Sequence, residues 1–153
     1  MKAEDIVKQK AKDWLILGGK LVTKILEDTD KGISQDGDGT VKDFPRYTTD
    51  YALKKVKGIK TKKGVAKSRQ VSPPNLKLTG IMLNSLKAQR ATSNSVELNY
   101  RDGLKFEGNA KNGRNVYGLN DKNEAFVKQY FEDIIDDRII KFSKKDIIID
   151  LNV

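Results

Sequence analysis

The sequence contains no histidine and no cysteine in 153 residues. Without cysteine there is no disulfide framework, no thiol nucleophile and no zinc–thiolate centre. Without histidine the commonest general base, the serine–histidine triads and the commonest transition-metal ligand all disappear together. An enzyme would have to rely on carboxylates and a metal, and no spaced carboxylate set accompanied by a glycine-rich phosphate loop is present. No enzymatic activity, cofactor or metal site is therefore expected. No apolar run approaches the roughly eighteen residues that a membrane helix needs. The opening MKAEDIVKQKAKDW mixes charged and apolar residues, unlike a signal or transit peptide. These absences lead to the expectation of a soluble protein made in a reducing cytoplasm, with no membrane partner.

Apolar residues are scarce as well, at 37%, whereas charged residues reach 33%. That balance predicts one domain over residues 1–153, with a modest core and long solvated loops. The net charge is +9, and its placement says more than its size. Between Tyr51 and Val96 there is no Asp or Glu, but eleven Lys and Arg; the remainder of the chain is close to neutral. This basic segment calls for an anionic partner, either nucleic acid or an acidic protein face, unless its lysines only keep a loop solvated. The candidate contacts are Lys54, Lys55, Lys57, Lys60, Lys62, Lys63, Lys67 and Arg69.

In chain order, residues 3–29 predict an amphipathic helix, with Val7, Ala11, Trp14, Gly18, Leu21 or Val22, and Ile25 on one stripe. Gly18-Gly19 in its middle implies close approach of another backbone or a break. Trp14 reads as a core anchor. Residues 28–45 are turn chemistry. Asp36 and Asp38 invite a calcium reading, but their spacing lacks the regular carboxylates and closing glutamate of such a loop. Thr48-Thr49-Asp50 offers an N-cap for a short helix ending at Gly58. Residues 58–74 read as an exposed, mobile basic loop.

Pro73 and Pro74 stiffen the entry to the apolar stretch 75–86, NLKLTGIMLNSL, read as a core strand or short helix. Two strands follow around the polar turn TSNS, the second alternating Val96, Leu98 and Tyr100 with Glu97 and Asn99. LKF (104–106) reads as a brief strand and GNAKNGRN (108–115) as a loop. Asn120 and Asp121 open a helix whose apolar stripe runs to about Ile140, Asp121 and Glu124 having capping-box spacing. Glu132, Asp133, Asp136 and Asp137 form its acidic face. The terminal DIIIDLNV predicts a closing edge strand. The fold class is α+β: a long N-terminal helix, a short second helix, an antiparallel sheet packed against a C-terminal amphipathic helix, and the final strand.

Three segments in succession, PRYTTDYALKKVKG, NLKLTGIMLNSLK and GRNVYGLNDKNEAFVKQYF, resemble the phage virion-morphogenesis or tail-completion proteins. The resemblance covers roughly residues 44–140. It departs from that pattern in lacking the histidine–glycine pair that commonly precedes the arginine, and in its longer lysine-rich loop. It implies a structural subunit of the head–tail neck, acting by position in a homo-oligomeric ring around the DNA channel. Portal, adaptor or tail subunits, and the packaged DNA, are the implied partners. The implied location is the virion, assembled in the host cytoplasm. Thr79-Gly80 and Gly118-Leu119 are its motif turns. Arg114 is expected to form a salt bridge, to clamp the carbonyls of its turn, or to contact a neighbouring subunit. The alternative is a nonspecific nucleic-acid-binding protein using residues 54–69. No aromatic residue interrupts that stretch for base stacking, and arginines for base-edge readout are few.

Overall fold

A computed structural model describes residues 4–36, 41–77, 81–101 and 103–145. Two expectations fall outside them: the Thr79-Gly80 turn and the closing strand of the last eight residues.

The chain begins with α1 (Glu4–Val7) and α2 (Ala11–Asp30), so the expected single N-terminal helix is interrupted at residues 8–10. The break is held by side chains. Asp13 accepts from the Lys10 backbone N–H at 3.0 Å, starting α2 afresh, and Arg138 donates to the carbonyl oxygens of Ile6 and Lys8. Gly18-Gly19 does not break α2. A Cβ on Gly18 would stand 2.7 Å from Val96 Cγ2 and 2.8 Å from Ala88 Cβ, so the glycine admits a neighbouring sheet.

Thr48 caps α3 (Thr49–Lys57) by accepting from the Tyr51 N–H, and Gly58, at φ +119°, ends it. The segment expected as a mobile loop then contains a hairpin, β1 (Ile59–Thr61) and β2 (Gly64–Ala66). Ile59 pairs with Ala66 and Thr61 with Gly64. The hairpin closes because Gly64 takes φ +115° and the Thr61 hydroxyl bonds both Gly64 O and Lys63 N. The following residues are tied down by Gln70, which donates to Asp30 O at 2.9 Å.

The apolar stretch supplies α4 (Ile81–Asn84), burying Met82 and Leu83. Next come β3 (Lys87–Ala91) and β4 (Val96–Asn99), an antiparallel pair in the expected place. The expected strand at 104–106 and much of the expected loop after it are instead α5 (Gly103–Lys111). Its asparagines turn their side chains back along the helix instead of breaking it: Asn109 donates to Lys105 O at 2.8 Å and Asn112 to Gly108 O at 2.7 Å. The helix turns its one large core residue, Phe106, inward. Finally α6 (Asp121–Lys145) starts from Asn120, whose side chain accepts from Asn123 N. The N-cap is therefore Asn120, one residue before the Asp121 of the expected capping box.

The architecture is α+β, with two two-stranded antiparallel sheets. One face of α2, bearing Leu17, Leu21 and Ile25, is buried where the helix meets β3–β4. Trp14 is half-buried, its ring tilted against Phe131 of α6 with centroids 4.7 Å apart and its indole N–H donating to Ser93 O at 2.8 Å, so it ties α2 to α6 and the β3–β4 turn from the edge of the core. A second cluster joins Phe44, Met82, Leu83, Phe106 and Val116. Five fully buried aliphatic and aromatic side chains of this kind contribute on the order of 10 kcal/mol in water-to-core transfer.

Candidate functional site

Three of the predicted lysines meet in one place. Between β1–β2, the start of α3, α4 and α5 lies an open cleft of about 1180 Å³. Lys60, Lys62 and Lys63 of the hairpin face Lys105 of α5 and Arg114 across it. No Asp or Glu lines the cleft among the described residues. Leu76, Ile81, Met82 and Val65 add apolar surface. The site is therefore cationic with apolar walls, a composition suited to a polyanion that also carries apolar groups.

Tyr47 and Tyr51 form another wall, their ring centroids 5.0 Å apart. Tyr47 is fixed from several directions. Its hydroxyl accepts from Leu76 N at 3.0 Å, and the Arg114 guanidinium lies 4.8 Å from its ring centre. Burial raises its phenol pKa. Arg114 is a carbonyl clamp, as one of its expected roles had it, but on a different turn: it donates to Pro45 O at 3.0 Å and Arg46 O at 2.9 Å. It thereby holds the segment entering α3 against the segment leaving α5.

Lys55 does not belong to this surface. It is fully buried, and its ammonium donates to Asn75 Oδ1 (2.9 Å), Gln70 O (3.0 Å) and the Tyr47 hydroxyl (3.4 Å). Burial without a carboxylate partner lowers its pKa to about 8. It pins α3 to the 70–75 segment, so the expectation that it contacts a partner is corrected. Lys54 pairs with Asp50 on the exposed side of α3. Lys57, Lys67 and Arg69 are exposed but outside the cleft. Gly118 takes φ +83° and Leu119 is half-buried, making the turn that delivers Asn120 to the start of α6.

Sequence reasoning missed Tyr47, Tyr51, Lys105, Asn109 and Asn112 as cleft residues. The tyrosines stand in the PRYTTDY segment, but only folding carries them beside the lysine hairpin. Also missed was a buried polar knot. Asp28 Oδ2 accepts from Gln35 (3.1 Å), Asn120 (3.3 Å) and Asn123 (2.9 Å), locking α2, the 33–36 segment and α6 together. Asp36 is held by Ser34 and Asn115. No cluster of three metal-ligating acidic, histidine or cysteine residues occurs among the described residues.

A second charged surface lies on α6. Glu132, Asp133, Asp136 and Asp137 are all exposed, and none makes an ion pair among the described residues. The nearest arginine in sequence, Arg138, turns inward to pair with Asp13. No residue of α6 lines the cleft.

No protein-family model, no curated protein and no solved structure matches this chain.

Proposed function

We propose that this chain is a structural subunit of a phage neck or tail-completion ring, joining head and tail around the DNA channel. The observation that carries the reading is the separation of two oppositely charged surfaces onto different elements, the basic cleft and the carboxylate face of α6. Unlike surfaces on one subunit are what heterologous, ring-closing contacts require. The succession of the three resembling segments and the α+β architecture are consistent with it. In this reading the subunit works by position, and its partners are further copies and the neighbouring neck or tail proteins.

One observation favours a second reading, nonspecific nucleic-acid binding. Folding places Tyr47 and Tyr51 beside Lys60, Lys62 and Lys63, supplying the aromatic surface that residues 54–69 themselves lack.

Sedimentation velocity across a concentration series, with and without duplex DNA and at low and raised salt, separates the two. Closed rings forming without DNA are the expected result. Monomers that bind DNA with a steep salt slope would replace the ring subunit with the second reading.

A further inference from the structure

We infer that the occupant of the basic cleft is the acidic stretch of α6 from a second copy of this chain, so that subunits join cleft to helix, head to tail. The inference rests on the ring reading above and identifies the two faces that meet.

The acidic face is costly to the subunit that carries it. Glu132 with Asp136, and Asp133 with Asp137, are like-charge pairs four residues apart, each destabilising a helix by about 0.2–0.5 kcal/mol. They stand in the middle of α6, more than a turn from either end, so the positive N-terminal end of the helix does not offset them. No ion pair within the described residues compensates them. One turn further on, Ile139 and Ile140 are 45% and 51% exposed. Asp136 and Ile140 are four residues apart, as are Glu132 and Asp136, so carboxylates and isoleucines share one stripe.

The cleft is complementary to that stripe in charge and in apolar character. Lys60, Lys62 and Lys63 supply positive charge, and Ile81, Met82 and Val65 supply apolar contact. The cleft is open on one side, so it can receive the exposed stripe of a helix whose other face stays on its own subunit through Arg138 and Asp13. Because cleft and helix belong to different elements, a subunit can offer both at once, one to each neighbour.

The test uses the full chain and two sets of exposed substitutions. The first variant carries Lys60→Gln, Lys62→Gln and Lys63→Gln; the second carries Glu132→Gln, Asp133→Asn, Asp136→Asn and Asp137→Asn. Circular dichroism and urea unfolding check that each retains its fold. In sedimentation at low salt, the wild type is expected to assemble beyond a dimer. Each variant alone should need an at least about tenfold higher concentration to do so. An equimolar mixture should stop at a one-to-one dimer, because it contains one intact cleft and one intact helix. If the α6 variant assembles like the wild type, or the mixture stays monomeric while the wild type forms rings, the cleft–helix contact is overturned and the ring reading stands. If the wild type remains monomeric throughout, both fall.

Discussion

Gly18 of α2 lies against Val96 of β4 so closely that a single added methyl group would stand 2.7 Å from Val96 Cγ2. The neighbouring Gly19 faces open space, where a methyl group would meet nothing beyond its own helix within 4 Å. The two adjacent glycines therefore make opposite predictions. Gly18→Ala should push α2 off the β3–β4 pair and cost about 1–3 kcal/mol. Gly19→Ala should add about 0.5–1 kcal/mol through helix propensity and a less flexible unfolded chain. Thermal unfolding of the two variants is the measurement, with shifts of about 2–4 °C per kcal/mol in a chain of this length.

Asp28 carries the knot between α2 and α6, since one of its oxygens receives three side-chain amides. Asp28→Ala leaves Gln35, Asn120 and Asn123 with unpaired buried N–H groups. The expected loss is about 2–4 kcal/mol in urea unfolding, larger than for any single surface carboxylate.

Lys55 predicts an unusual pH dependence. Its pKa is lowered to about 8 in the folded chain and stands near 10.4 when unfolded. Below pH 8 both states are protonated and the burial penalty is fully felt. Between about pH 8 and 10.4 the unfolded state binds more protons, so this group's contribution to stability rises with pH, by about 3 kcal/mol in all. Lys55→Met removes that term and leaves Asn75 Oδ1 and Gln70 O without their donor. The variant should be about 1–3 kcal/mol less stable at pH 7, and the gap to wild type should widen by pH 10. A constant gap in urea unfolding at the two pH values would show that Lys55 keeps an ordinary pKa.

Neutralising Lys60, Lys62, Lys63 and Lys67, all exposed, should change stability by no more than about 0.5 kcal/mol per site. Attachment to an anionic partner should weaken and lose its salt dependence. Far-UV circular dichroism with urea unfolding checks the first part, and sedimentation at two salt concentrations checks the second. A variant that unfolds would mean that the hairpin lysines hold up the core.

Elements whose cause is local were legible in the chain. Thr48 caps α3 through its own neighbour three residues on, and Gly58 stops it with a backbone angle that other residues resist. The alternation from Val96 to Leu98 marks a strand because side chains in a strand alternate faces. By contrast the sequence of α5 carries the signals of a strand and a loop. It has one buried anchor, Phe106, among polar residues, and its asparagines look like turn formers until their side chains bond back along the helix. The hairpin within 58–74 was hidden because three-residue strands carry too little pattern to register.

By itself the sequence determined the α+β class, the basic middle, the acidic last helix and the absence of histidine and cysteine chemistry, because composition and short-range periodicity survive without a fold. Only the tertiary structure decided which lysines serve a surface. Lys55 and Lys60 look alike in a list of charges, yet one is sealed beneath Tyr47, Gln70 and Asn75 while the other stands in the cleft. That difference comes from segments tens of residues apart meeting in space, and burial, unlike charge, is a property of the whole packed chain.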